Sequence, residues 1–458
     1  METVTAKLAF KPGDLVDIGK PWIFTVRPDL VEHACHYCLS IPQIQMNLHR
    51  CSQCHFTKYC SQQCQKLDWK SCHKDECKLL LQTNVLDIGR PGFEYWILLR
   101  KAAIKLKNNP QDMDVYNKYT SNQEEASVDP VARSLFRQYS SQLKLINPKS
   151  RLHSDYPKFC ELFSRVIFNT SMIIGVRKPG SQPGIGLALY QPGVTGSVVG
   201  CNRNITSYSQ DKQLFVKATR NIYEGDALIA SQGSPFLSPN ERFLRYREVY
   251  ATCHCDACTV PSKDAERNAF NCGTTGCRNA IPLDDRAASA CSDCGRINDD
   301  QTERAKSIVQ MLLEKVDAGP PSLTGNLFVD IHSCIQIAER ILHPTNFTLG
   351  LFYKHASDVF TNILGMKGRA VECLEKMLVP LELHTDPYLE EIINTVQPIC
   401  VYHTRVMNHR LAEKYLSKYR RIVETIHGTD SLQHERFQQF SNKLAAMRHT
   451  FVDSDDSG

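Results

Sequence analysis

Cysteine spacing constrains this chain more than any other feature. The 458 residues hold 20 cysteines, and most of them stand in close pairs. Such a set is either a disulfide framework or a group of metal sites. The opening residues, Met1 to Lys7, lack the basic start and apolar run of a signal peptide. No apolar stretch approaches the ~18 residues of a membrane-spanning helix. An intracellular setting, cytoplasm or nucleus, is therefore expected. Thiols stay reduced there, and paired thiols point to metal.

The first cluster reads Cys35-x2-Cys38, Cys51-x2-Cys54, Cys60-x3-Cys64 and His73-x3-Cys77. Eight ligands suffice for two tetrahedral Zn²⁺ ions. A RING finger also has eight, but carries its histidine in the middle, whereas here it comes late. The order resembles a MYND finger. That resemblance implies interleaved sites, with Cys35, Cys38, Cys60 and Cys64 on one ion and Cys51, Cys54, His73 and Cys77 on the other. Cys72 is an alternative to His73, although the x3 spacing to Cys77 favours the histidine. Residues 62–69 contain no Gly or Pro, so the ligands from Cys60 onward are expected on two short helices.

Two further groups follow. Cys253-x-Cys255-x2-Cys258 supplies three thiolates and needs a fourth ligand from elsewhere. Cys272-x4-Cys277 and Cys291-x2-Cys294, with Gly273, Gly276 and Gly295 beside them, suit a small zinc ribbon. Cys160, Cys334, Cys373 and Cys400 stand singly and are expected in the core.

Composition adds little beyond exclusion. Hydrophobic residues make up 42% and charged residues 22%, which excludes a wholly disordered chain. A net charge of +5 is too small to argue for nucleic acid, and residues 31–80 mix basic and acidic side chains without a basic stripe. Turn signals and β-branched residues at 9–30 and 166–232 predict strands. Residues 81–165 predict helices. From about residue 301 amphipathic stripes such as Ile308, Met311, Leu312 and Val316 predict a helical array. The acidic tail from Asp453 is expected to be disordered.

The finger, the later CxCxxC and several quotable stretches together resemble the SET-and-MYND family of protein-lysine methyltransferases. The stretches include Phe10-Lys11-Pro12-Gly13-Asp14, Asn169-Thr170-Ser171, Gly186-Leu187-Ala188-Leu189-Tyr190 and Val216 to Asp226. The likeness covers nearly the whole chain, and the third cysteine group is most similar to an arthropod-specific branch. It implies an α+β fold: a split, β-rich SET domain with an inserted MYND zinc finger and helical insert, post-SET zinc sites and a C-terminal α-helical, TPR-like domain. The implied divisions are 1–30 for the N-terminal part of SET, 31–80 for the finger and 81–165 for the helical insert. The SET core then takes 166–252, the post-SET zinc region 253–300 and the helical domain 301–452. The family also implies that Cys201 completes the site at Cys253, Cys255 and Cys258. About four Zn²⁺ per chain are then expected, holding fifteen of the twenty cysteines.

Residue by residue, the chain departs from the family where the chemistry lies. The Asn-His that grips S-adenosylmethionine falls on Val198 and Val199, and the lysine-channel Tyr falls on Gln232. The glycine loop expected before Phe10 has no counterpart here. Gly184-Ile185-Gly186 is a GxG, but lies where the family has a strand. Asn169 matches a cofactor-contacting Asn, while Tyr208 and Tyr250 are alternative phenols. Valine side chains make no hydrogen bonds, so binding of the methyl donor is in question. The expected function is a zinc-binding, catalytically degenerate scaffold of the transcription or chromatin co-regulator type, acting through protein–protein contacts. The alternative is an active S-adenosylmethionine-dependent protein-lysine N-methyltransferase, with histone or other lysines as substrates only in that case. Proline-rich peptides are the expected partners of the finger, with Gln65 and Trp69 as contacts. Trp69 has a competing role as a core residue stacked on the zinc knuckle.

Overall fold

The computed structural model describes residues 4–43, 47–81, 92–191, 198–199, 203–230, 267–283, 290–295, 299–317 and 327–452. The chain divides into two compact units. The first takes in the described residues up to Val199 and those from Asn204 to Ala230. The second contains Arg203 and everything described from Arg267 onward.

In the first unit, strands form at both ends of the sequence it spans. β1 (Leu15–Gly19) and β2 (Pro21–Val26) precede the finger. β6 (Thr170–Ile174), β7 (Ser181–Pro183), β8 (Ile185–Tyr190), β9 (Val198–Val199), β10 (Ile205–Gln210), β11 (Gln213–Ala218) and β12 (Ile229–Ala230) follow the helical insert. The pairing joins the two ends. β1 lies antiparallel to β11, and β2 lies antiparallel to β8, which also pairs with β6. Gly186 has to be glycine: a Cβ there would lie 2.1 Å from the carbonyl oxygen of Thr25 on β2. Gly184 is equally constrained, its Cβ meeting the Leu39 carbonyl oxygen at 2.4 Å. The GxG at 184–186 is thus a packing device of β8.

Between these strands stand the finger and the helices α3 (Phe93–Asn108), α4 (Asp112–Asn117), α5 (Gln123–Val128), α6 (Pro130–Ile146) and α7 (Tyr156–Asn169). The start of α6 is set by Asp129, whose carboxylate accepts from the amides of Val131 and Ala132, with Pro130 in the first turn. Its buried residues Ala132, Leu135, Tyr139, Leu143 and Ile146 recur at helical spacing. They pack on Trp96, which stacks on Tyr139 at 4.1 Å between ring centroids. Helix α7 runs to Asn169, past the expected division at 165. Its apolar face continues through Val166 and Phe168, both buried.

The second unit is mainly helical. α8 (Asp299–Asp317), α9 (Leu327–Ile341), α10 (Phe347–Asn362), α11 (Lys367–His384), α12 (Glu390–Arg405), α13 (His409–Ile426) and α14 (Leu432–Val452) follow one another through short connections. They enclose a core with Leu312, Leu342, Phe352, Leu381, Val396, Ile399 and Leu444. The hairpin of β13 (Phe270–Asn271) and β14 (Ala280–Ile281) packs Phe270 and Ile281 into the same core. Cys334, Cys373 and Cys400 are buried there, and Cys160 in the first unit, as expected of single cysteines.

Candidate metal centres

The finger has almost no conventional core. Its buried apolar cluster consists of Cys35, Cys38, Cys51, Cys54, Cys64 and Cys77, with Tyr59 and Leu80. Six thiols and two larger side chains cannot offset the chain entropy of some fifty residues. The structure brings the thiols together in two sets, Cys35/Cys38/Cys60/Cys64 and Cys51/Cys54/His73/Cys77. Within each set all ligand atoms lie within 4.8 Å of one another.

The backbone that does this is local. Cys35 to Ser40 and Cys51 to His55 form matching knuckles, with the amide of Leu39 donating to the Cys35 carbonyl and that of His55 to the Cys51 carbonyl. Both closing residues adopt left-handed geometry, φ 60° at Leu39 and 54° at His55. That conformation costs a non-glycine residue about 1–2 kcal/mol. The short pair β4 (His49–Arg50) and β5 (Lys58–Tyr59) positions Cys51 and Cys60. Helix α1 (Gln62–Asp68) is capped by Ser61, whose hydroxyl accepts from the Cys64 amide. A π-helical turn, Trp69–His73, joins it to α2 (Lys74–Leu80). The turn brings His73 and Cys77 to the same ion site, and single π-turns of this kind recur at functional positions.

The spacings fit zinc. Zn–S bonds of ~2.3 Å in a tetrahedron place sulfurs about 3.7 Å apart. Cys38 and Cys60 are 3.5 Å apart, Cys60 and Cys64 3.6 Å, and Cys51 and Cys77 3.8 Å. His73 turns Nε2 toward the second set, 3.4 Å from Cys51 Sγ and 3.7 Å from Cys54 Sγ. Burial lowers the pKa of His73 and so favours the neutral imidazole that a metal ligand requires. Cys72 belongs to neither set and packs against the core of the helical insert.

A third set lies in the second unit. Cys272, Cys277, Cys291 and Cys294 converge, with Cys272 and Cys294 3.5 Å apart and Cys277 and Cys291 3.7 Å apart. The amide of Gly295 donates to the Cys291 carbonyl, repeating the knuckle of the finger, and Gly295 has φ 68°. Three Cys/His centres suited to Zn²⁺ therefore stand among the described residues. Cys201, Cys253, Cys255 and Cys258, expected to form a fourth, lie outside them, as do Gln232 and Tyr250.

Polar neighbours that spacing could not reveal surround these thiols. Ser40 Oγ lies 3.0 Å from Cys38 Sγ, Thr57 Oγ1 lies 3.2 Å from His73 Nε2, and Asn279 donates to Cys291 Sγ at 3.4 Å. Behind the second set, Glu76 accepts from Arg100 and pairs with Lys101 at 3.2 Å. Burial pushes the Glu76 carboxyl up, but Lys101 and Arg100 outweigh it and hold the pKa at about 2.

The expected peptide contacts share one side of the finger. Gln65 is half-buried, and Trp69 is 37% exposed while its ring meets His73 edge-on at 5.7 Å. Trp69 thus braces a ligand and offers apolar surface at once, with the exposed Leu67 nearby in sequence. At the expected methyl-donor positions, β9 pairs in parallel with β12, Val198 against Ile229 and Val199 against Ala230. Asn204 pins this pair from its own side: its side-chain carbonyl accepts from the Ile229 amide at 2.7 Å, and its amide donates to the Ala227 carbonyl at 2.8 Å. Asn169 commits its amide to the carbonyls of Thr120 and Arg165, at 2.9 and 2.8 Å. Tyr208 stacks on Phe215 of the neighbouring strand.

This is the architecture of a zinc-binding interaction module built into a mixed sheet-and-helix body. Residues 35–77 match the model of the MYND finger, a protein-interaction module. The chain is 28% identical to the human (Homo sapiens) histone-lysine N-methyltransferase SMYD3 over 265 residues, 56% of this chain and 58% of that protein. It is 25% identical over 267 residues to SET domain-containing protein 14 of Caenorhabditis elegans, covering 55% of this chain and 57% of that one. Human histone-lysine N-methyltransferase SMYD1 is 22% identical over 267 residues, 56% of this chain and 53% of that protein. The match spans little more than half the length of these relatives. Together with the finger, these matches make the chain similar to SET-and-MYND proteins. No described helix is long and apolar enough to cross a membrane.

Proposed function

We propose that this protein is a SET-and-MYND scaffold whose methyl-transfer site is degenerate and which acts by holding protein partners. The pairing of β9 with β12 carries the reading. It sets Val198 and Val199, where the family has Asn-His, beside the strand that leads to Gln232, where the family has Tyr. Two segments assigned separately from the resemblance thus run side by side, which supports the assignment. A valine offers no side-chain hydrogen bond to the donor. A carboxamide in place of the phenol forfeits a preorganised group, and losing one such group costs ~10²–10³ in rate. Losses in one cooperative site do not add, but none of these three side chains retains the chemistry of its position.

In this reading Cys201 joins Cys253, Cys255 and Cys258 as a fourth zinc site, and the finger supplies the contact surface. Trp69 and Gln65 would grip a proline-rich peptide, the indole face packing on a proline ring. The domain divisions follow the family, with the helical insert prolonged to the end of α7.

Calorimetry with S-adenosylmethionine tests the reading directly, with absence of heat as the expected result. Saturable micromolar binding would instead support the second reading, an active protein-lysine N-methyltransferase. That reading is favoured by the relatives, two of which are named as histone-lysine N-methyltransferases. A proline-rich peptide should bind the wild type and lose affinity with Trp69→Ala. Equal binding by both would remove Trp69 from the surface.

A further inference from the structure

The loop between β6 and β7 reaches back to the finger across more than a hundred residues of sequence. There Lys178 places its ammonium 3.2 Å from Cys60 Sγ and 3.5 Å from Cys64 Sγ. We propose that Lys178 is an outer-shell partner of the first metal centre, so that retention of zinc by Cys35, Cys38, Cys60 and Cys64 depends on the β6–β7 loop.

Four thiolates around Zn²⁺ carry a net charge of −2. An ammonium held against two of them cancels half of that charge and donates hydrogen bonds to sulfur. Outer-shell partners of this kind orient ligands and raise metal affinity. The second centre, with three thiolates and a neutral imidazole, carries one negative charge less and has less need of a cation.

The loop is held where the argument requires it. The Val176 amide donates to the Cys38 carbonyl at 2.9 Å, and the Gly184 amide to the Leu39 carbonyl at 2.7 Å. β7 pairs with β3 (Ser40–Pro42) immediately after the first knuckle. A Cβ at Gly175 would lie 2.4 Å from the Leu39 carbonyl oxygen, so the backbones are in direct apposition. Lys178 is therefore half-buried and delivered to the thiols by a fixed frame. Lys212 approaches the same knuckle, but it donates to the Tyr37 carbonyl and sits over the rings of Phe24 and Tyr37. It cannot replace Lys178 at the sulfurs without giving up those contacts. The inference stands whether or not the protein transfers methyl groups.

The test compares zinc-loaded full-length wild type with Lys178→Met, which keeps the covering stem without the charge, and with Lys178→Arg. Each is challenged with EDTA and N-ethylmaleimide. Labelling of each cysteine is followed by peptide mass spectrometry, while zinc passed to a chromophoric indicator is read in a parallel assay. For Lys178→Met, zinc loss and labelling at Cys60 and Cys64 should accelerate about 10–100-fold, the usual outer-shell effect. Labelling at Cys51, Cys54 and Cys77 should not change, and Lys178→Arg should retain most of the protection. The proposal is overturned if Lys178→Met releases zinc like the wild type. It is equally overturned if both finger centres open together, since that marks a general loss of stability.

Discussion

Replacing Arg100 by Met removes one end of a buried ion cluster. The Arg100 side chain is fully buried and Glu76 nearly so. Arg100 donates through Nε and Nη2 to one carboxylate oxygen of Glu76, at 3.2 and 2.9 Å, and Lys101 pairs with the other. Truncating one partner of a buried pair typically costs about 3–5 kcal/mol, because the remaining charge is left without compensation. Lys101 still faces the carboxylate, so the low end, about 3 kcal/mol, is expected. The sign at neutral pH is clear. A carboxyl held near pKa 2 contributes its stabilisation above the unfolded value of ~4.3 and loses it as pH falls through about 2. Measurement near pH 7 therefore captures the effect in full and keeps zinc bound. The three tryptophans, Trp22, Trp69 and Trp96, all lie in the first unit, so their fluorescence in urea reports that unit alone. With m of ~1–3 kcal/mol/M, the midpoint should fall by at least about 1 M. Replacing the whole cluster, with Glu76→Leu and Lys101→Met added to Arg100→Met, should recover most of the loss, since an apolar replacement of a buried ionic group is often neutral or better. A single variant as stable as the wild type, or a triple variant worse than the single, would refute the reasoning.

Metal analysis of purified protein should give at least three Zn²⁺ per chain, and about four if Cys201 and the CxCxxC form a site. A count of two would remove the ribbon centre. His73→Ala should release one zinc from the finger, whereas Cys72→Ala should release none, read by indicator after mild chelation. Gly186→Ala forces a Cβ onto the Thr25 carbonyl, and should cost the first unit at least about 1–3 kcal/mol of overpacking strain in urea unfolding.

The finger and the ribbon were legible because their ligands are close in sequence and a short loop delivers each pair. What surrounds them was not. Leu39 and His55 take a left-handed conformation that composition associates with glycine, and only at Gly295 does the sequence advertise the same turn. The π-turn at Trp69–His73 leaves no mark in helix propensity, since one extra residue per turn alters no periodicity over so short a run. Pro380 and Pro398 lie inside α11 and α12 instead of ending them, because tertiary packing outweighs the lost backbone bond. Partners such as Leu15 and Lys217, paired across β1 and β11, are separated by the entire finger and insert. Lys178 is invisible for the same reason: nothing near residue 178 hints at Cys60.

The pairing of β3 with β7 has a consequence for how such a finger can be moved between proteins. A segment cut at 31–80 would carry every one of its metal ligands and yet leave Ser40 to Pro42 as a bare edge, its amides and carbonyls open to any other strand. Without Lys178 it would hold its first zinc less firmly, and its bare edge would invite association with its own copies. In this chain the finger is less a cassette than a graft, and only a host presenting a matching strand could accept it without such self-association.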